Sequence, residues 1–260
     1  MADSPKPDAL RIIVTRPEGQ QQALMAAIAA DFPQFELVHQ PLIEIVPIAD
    51  DKQASLLRQR MLNIDHYQAV IAISKNAAQS GLQWLDTYWP QPPEAIRWYA
   101  VGPTTADELK TELHPVQMPE QHYDSEGLLQ LASLQQVQDE KILIWRGLGG
   151  RETLANVLRQ RGAQVDYAEL YERRQIPYSS QQWQTLLQQP ALLLLSSGQG
   201  LDIIEQQVDN LAAQVTAILV PSERVAEKAR AKGYPQVLVA TSARDQDVLA
   251  QLRDWVSRQQ

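Results

Sequence analysis

The feature that most restricts this chain is a strand–turn–helix unit that recurs out of order. Residues 67–85, YQAVIAISKNAAQSGLQWL, and 190–208, PALLLLSSGQGLDIIEQQV, each read as an apolar strand, a serine-bearing turn and a helix. WYAVGPTTADELKTEL from Trp98 matches AILVPSERVAEKARAKG from Ala217 in the same way. A third unit, KILIWRGLGGRETLANVLRQRGAQV from Lys141, matches RIIVTRPEGQQQALMAAIAADFPQFE from Arg11: strand, arginine, turn, helix, second strand. The arginine unit closes the first series but stands at the start of the chain for the second. Two copies of one domain, one inserted into the other, account for that offset.

The strand candidates are Ile12–Thr15, Ala69–Ile73, Arg97–Val101, Lys141–Trp145, Ala191–Leu195, Val215–Val220 and Gln236–Val239. Most are unbroken apolar runs, the pattern of parallel strands covered on both faces. Between them, Gln20–Ala30, Asn76–Leu85, Thr105–Leu113, Arg151–Arg161 and Arg224–Lys232 carry helical spacing. Such alternation predicts an α/β fold with parallel sheets. Leu37–Ile48 and Val165–Ile176 alternate as extended segments and are predicted to pair as a two-stranded antiparallel ribbon. The expected organisation is an outer domain of 1–38 plus 174–260, an inserted domain of 47–164, and a connecting ribbon of 39–46 and 165–173.

Composition narrows the chemistry. The 260 residues contain no cysteine, which excludes disulfides, iron–sulfur clusters, thiolate zinc sites and a cysteine nucleophile. His39, His66, His114 and His122 show no paired ligand spacing, so no metal is expected. A net charge of −8 argues against nucleic acid as a partner, since phosphate neutralisation needs a basic surface. The opening MADSPKPDAL lacks a signal-peptide profile, and apolar runs such as 191–195 are far shorter than the roughly 20 residues of a membrane span. A cytoplasmic monomer without membrane contact is expected. No phosphate-binding G-x-x-x-x-G-K-[ST], no dinucleotide G-x-G-x-x-G after a strand and no G-x-S-x-G elbow occurs.

Ligands of open α/β sheets bind outside the carboxyl ends of the strands. The turns there are Thr15-Arg16-Pro17, Ser74-Lys75-Asn76, Gly102-Pro103-Thr104-Thr105, Arg146-Gly147, Ser196-Ser197-Gly198 and Pro221-Ser222-Glu223-Arg224. Their hydroxyls and backbone N–H groups serve either as helix caps or as donors to an anion. Arg16, Lys75, Arg146, Arg151 and Arg224 stand at strand ends or first helical turns, where a cation opposes the helix dipole. Each is either a solvated surface charge or a partner for a carboxylate or phosphate. Collectively the six turns point to an anionic small molecule held between the domains. Tyr171, in the second ribbon segment, is either a packed structural tyrosine or a proton donor.

The motifs also carry a resemblance. T-R-P, I-S-K-N-A, A-V-G-P-T-T-A, D-S-E-G-L-L, R-G-x-x-G-R-E-x-L and L-Y-E-R follow one another from about Arg11 to about Trp255, and the ordered set resembles the uroporphyrinogen-III synthase family. The resemblance implies two α/β domains joined by a two-stranded ladder. It also implies a cofactor-independent lyase reaction in which hydroxymethylbilane, a linear tetrapyrrole polycarboxylate, closes to uroporphyrinogen III with loss of water and inversion of the last ring. Ser74, Lys75, Thr105, Ser197 and Ser222 match ligand-contacting positions of the family, and Tyr171 matches the tyrosine proposed as its general acid. V-P-S-E-R stands where many members of the family have G-P-T-T-A, so Val220 stands for the glycine, while Ser222 keeps a hydroxyl and Arg224 adds charge. The alternative to catalysis is a two-domain protein that only binds an anion or a tetrapyrrole.

Overall fold

Parallel strands whose two faces are both covered read as apolar runs, and Ala69–Ala72, Ala191–Leu194 and Ala217–Val220 are such runs. In the computed structural model, residues 10–259 are described. Apart from Leu10, the opening MADSPKPDAL lies outside the described residues, as does Gln260 at the end of the outer-domain range.

The first elements in chain order are β1 (Arg11–Val14), α1 (Gln22–Asp31), β2 (Glu36–His39), β3 (Ile43–Val46), α2 (Asp51–Leu62), β4 (Ala69–Ala72) and α3 (Lys75–Tyr88). Next come β5 (Arg97–Ala100), α4 (Pro103–Leu109), β6 (Val116–Gln117), α5 (Ser125–Leu129), β7 (Lys141–Gly147), α6 (Thr153–Gln160) and β8 (Gln164–Gln175). The chain finishes with α7 (Ser180–Leu186), β9 (Ala191–Leu194), α8 (Gly198–Gln207), β10 (Ala217–Val220), α9 (Glu223–Ala231), β11 (Val237–Val239) and α10 (Asp245–Ser257).

Two compact units result, one combining the chain up to Glu44 with everything from Arg174 onward, the other Ile45–Arg173. The split unit holds a sheet of order β11-β10-β9-β1-β2, and the second sheet runs β6-β5-β4-β7-β8-β3. Matching β4 with β9, β5 with β10, β7 with β1 and β8 with β2, as the sequence repeat does, makes the orders coincide over five strands. β4, β9 and β10 are buried along their whole length, which is why they read as unbroken apolar runs. The split unit packs Ile13, Leu193 and Ile218 on one sheet face and Ile12, Leu192 and Leu219 on the other. The contiguous unit does the same with Val70, Leu143 and Trp145 against Ile71, Ile142 and Ile144.

The extended segments differ from expectation. Leu37–Ile48 is two strands, because Gln40-Pro41 interrupts it and proline offers no N–H to a ladder. β2 lies parallel to β1, from Arg11↔Glu36 to Val14↔His39. β8 is no free ribbon arm: it pairs in parallel with β7 from Lys141↔Gln164 to Gly147↔Tyr171. Past that ladder, Ile176 N–H donates to the Leu42 carbonyl at 3.0 Å, and Arg174 approaches Glu44 at 3.5 Å. These contacts run in the antiparallel sense but are shorter than the predicted ribbon. Alternation marks a strand without telling which partner or sense it takes.

Candidate active site

Serine suits the start of a helix because its oxygen accepts an N–H that the first turn leaves without a partner. Ser74 does this for α3, accepting from Ala77 N–H at 3.1 Å. Its Oγ also lies 3.0 Å from the phenolic oxygen of Tyr171. Tyr171 is 2% exposed and belongs to the core between the sheet and α3.

A β-bulge delivers it there. The β7–β8 register runs residue for residue to Arg146↔Glu169, then shifts so that Gly147 opposes Tyr171. A bulge re-aims a side chain by breaking the period of two. Here Leu170 and Tyr171, consecutive in sequence, both enter the same core. The Tyr171 ring lies directly over Gly147: a Cβ built on that glycine would stand 2.7 Å from both Cε2 and Cζ and 3.1 Å from Oη. Arg173 completes the arrangement, its Nη2 donating to the phenolic oxygen at 3.3 Å. Sequence reasoning missed both Gly147 and Arg173 as partners of Tyr171. R-G in one motif and L-Y-E-R in another contain them, but only the shifted register brings the motifs together.

On the other face of the same sheet, a cavity of about 220 Å³ is lined by Ile73, Val101, Ser125, Arg146, Arg151 and Tyr167, among others. Arg146 is 2% exposed and tied internally: it donates to the carbonyls of Gly147 and Gly149, pairs with Glu152 at 3.2 Å, and lies 4.5 Å from the Tyr167 ring centre. The Tyr167 hydroxyl donates to Glu152, and that bond, helped by Arg146, holds the Glu152 carboxyl below the usual range. Burial first, then the Glu152 carboxylate, pushes the Tyr167 phenol upward. Arg151 is exposed at the rim of this cavity and has no ion pair among the described residues.

The remaining positions in this unit are simpler. Lys75 is exposed and 3.9 Å from Glu108; Asn76 is half-buried in the first turn of α3. Thr104 is exposed at the start of α4, whereas Thr105 is buried.

In the split unit, Ser197 caps α8 by accepting from Gly200 N–H at 3.2 Å. Ser222 occupies the capping position of α9 without a side-chain capping bond. Arg224 is exposed and has no ion pair among the described residues. Arg16, by contrast, is buried and committed, with Asp245 at 2.5 Å and the carbonyls of Ala243 and Gln20 at 2.7 and 3.3 Å. Arg146 thus grips the loop that follows its own strand, whereas Arg16 ties the end of β1 chiefly to the segment between β11 and α10.

The strand registers correct one motif alignment. Ile71 is opposite Tyr99 and Ala72 opposite Ala100, while Leu194 is opposite Leu219. With Ser74 and Ser197 as equivalent caps, Val220 corresponds to Ala100, and Ser222 to the capping Gly102. Aligning the prolines of G-P-T-T and V-P-S-E instead slides the two copies by two residues. Val220 is an ordinary buried strand residue.

The family model described as Uroporphyrinogen-III synthase HemD matches residues 26–250. The chain belongs to the uroporphyrinogen-III synthase family. That family works in tetrapyrrole biosynthesis. Curated relatives include the uroporphyrinogen-III synthase of Escherichia coli strain K12, 33% identical over 92% of this chain and 98% of that one. The enzyme of Proteus mirabilis is 37% identical over 67% of this chain and 85% of its own. Among solved structures, a mutant uroporphyrinogen III synthase from the extremely thermophilic bacterium Thermus thermophilus superposes with a TM-score of 0.62 at 14% identity, covering 96% of this chain and 100% of that one. The uroporphyrinogen-III synthetase of Helicobacter pylori 26695 gives 0.60 at 14% identity, over 95% of this chain and 99% of its own. At such identities the superpositions speak for the fold. Among the described residues, no helix is long and apolar enough to cross a membrane, and no three His, Asp or Glu side chains group as metal ligands.

Proposed function

We propose that this chain closes hydroxymethylbilane to uroporphyrinogen III, with Tyr171 as the proton donor to the departing hydroxyl. The observation that carries the assignment is the 3.0 Å contact between the hydroxyl of Ser74, just past the carboxyl end of β4, and that of Tyr171, which lies within β8 opposite the carboxyl end of β7, with the ring immobilised over Gly147. A phenol so held presents its proton at one place, which is what general-acid assistance needs; such assistance contributes about 10²–10⁴-fold.

The step balances without an outside reagent. The Tyr171 O–H bond breaks as its proton joins the leaving hydroxyl, the carbon–oxygen bond cleaves, and water departs to leave an azafulvenium cation beside the phenolate. The terminal ring attacks that cation through its already substituted α carbon to give a spiro intermediate; the bond from this carbon to its old bridge then breaks, leaving a second azafulvenium, and the ring closes onto it through its free α carbon, which inverts the ring. The proton lost when the newly bonded pyrrole regains aromaticity returns to Tyr171. Uncatalysed closure gives the type I isomer, so positioning of the chain ends supplies the selectivity.

For the substrate's acetate and propionate groups we assign the hydroxyls, amides and cations of Ser74, Lys75, Asn76, Thr104, Thr105, Arg151, Ser197, Ser222 and Arg224. The exposed guanidiniums of Arg151 and Arg224, without an ion pair among the described residues, support that assignment most directly. Arg16 and Arg146 we place in support of the loops, because their guanidiniums are buried on protein acceptors.

The test is to offer freshly generated hydroxymethylbilane to the protein and separate the oxidised porphyrin isomers by chromatography. Predominantly type III product is expected. Type I alone, at the rate of a protein-free control, would refute the proposal and leave a binding role.

A further inference from the structure

We propose that Arg173 is a positioning residue for Tyr171, acting with Ser74 to set where the phenolic proton points; the proposal rests on the reading of Tyr171 as the proton donor. It follows from an inventory of donors and acceptors around one oxygen. Guanidinium can only donate, so the 3.3 Å contact from Arg173 Nη2 occupies an acceptor direction of Tyr171 Oη. The guanidinium carbon also lies 5.9 Å from the ring centre, so the cation sits near the ring as well as its hydroxyl. Ser74 Oγ already accepts from Ala77 N–H, which leaves it one proton and one lone pair to offer Tyr171.

Two arrangements keep one hydrogen bond between the two hydroxyls. In one, Tyr171 donates to Ser74 and its proton is kept inside the protein. In the other, the Ser74 hydroxyl turns to donate to Tyr171, so the phenolic oxygen accepts from both neighbours and its own proton is free for the leaving group. When that proton is transferred, the charge developing on Oη meets two donors already in place, and preorganised donors of this kind act selectively on the transition state. The proton's return restores the second arrangement, and rotation of the Ser74 hydroxyl regains the first. Arg173 is exposed on a strand end and outside the core, so its side chain is not needed for packing. Gly147 fixes the ring that both donors address.

Steady-state kinetics of four variants decide the matter: Arg173→Gln, Arg173→Lys, Tyr171→Phe and the double variant Arg173→Gln/Tyr171→Phe. Losing one charge-assisted hydrogen bond to the reacting oxygen predicts a kcat loss of about 10- to 100-fold for Arg173→Gln, with KM changed by less than about twofold and thermal unfolding unchanged. Arg173→Lys, which keeps a charged donor, recovers part of that loss. In the Tyr171→Phe background, with no hydroxyl left to address, Arg173→Gln changes kcat by less than about twofold. Equal losses in both backgrounds, or a rise in KM at constant kcat, would overturn the positioning role and leave Tyr171 as the donor. Wild-type kcat in Arg173→Gln beside a slow Tyr171→Phe would do the same. Wild-type kcat in Tyr171→Phe would instead refute the proton-donor reading and the positioning role with it.

Discussion

Replacing Gly147 by alanine tests the seat of Tyr171 with a single methyl group. Gly147 is not among the residues of positive φ, so alanine fits the backbone there and any cost is steric. The added Cβ would lie 2.7 Å from Cε2 and Cζ of Tyr171. Carbon atoms rest at about 3.5–4.0 Å, so the ring must retreat by roughly 0.8 Å or more. Tyr171 is 2% exposed and packed among Trp145, Leu170 and their neighbours, with little room to yield. Overpacking of this kind costs about 1–3 kcal/mol. A retreat of that size directed away from Ser74 would also take their 3.0 Å contact beyond hydrogen-bonding distance. Gly147→Ala should therefore lower the urea unfolding midpoint and reduce kcat about as far as Tyr171→Phe does. Tyr171→Ala removes the obstruction, so in that background Gly147→Ala should cost almost nothing, giving a coupling energy of about 1–3 kcal/mol in the double-mutant cycle. Equal costs in both backgrounds, or unaltered stability and turnover in the single variant, would refute the reasoning.

Two further expectations use the paired units and the buried phenols. Ser197→Ala should cost the ordinary value of a lost helix cap, about 1 kcal/mol, and Ser74→Ala about 1 kcal/mol more, because it also takes a partner from the buried Tyr171. Equal losses in chemical denaturation would show that the Ser74–Tyr171 bond adds nothing. Burial first, with Asp166 and Glu205 respectively, pushes the Tyr67 and Tyr234 phenols upward. Above about pH 10 the unfolded chain loses those protons while the folded one keeps them, so stability is full below that pH and falls above it. Tyr67→Phe and Tyr234→Phe should each flatten the decline of unfolding midpoints between about pH 9 and 11; an unaltered slope would rule the phenols out as its source.

What was legible in the amino acids follows from burial. Strands such as Ala191–Leu194 and Ala217–Val220 are covered on both faces, and an apolar run of that length has few other uses. α2 escaped notice because only Leu57 and Met61 of its twelve residues are buried, too few for a visible period. The turns were legible as turns, yet their side chains were not legible as site or support. Arg16 and Arg146 look like ligands in sequence because the acceptors that occupy them, the carbonyls of Ala243 and Gly149 among others, are backbone atoms with no residue signature. Gly147 and Arg173 stayed hidden for a related reason: a one-residue bulge decides what they face, and no composition or spacing announces it.

The pairing of β1 has a consequence for how the chain comes into being. Its neighbours are β2 and β9, with Arg11 opposite Ala191, so an early segment waits for one made some 180 residues later. During vectorial synthesis Ile45–Arg173 is contiguous and has every strand of β4 to β8 in hand well before β9 emerges. Until then β1 and β2 are a two-stranded fragment, with the apolar Ile12, Ile13 and Val14 lacking the central partner that buries them. An incomplete chain halted anywhere before residue 191 thus carries an open strand edge, which makes premature termination a route to aggregation.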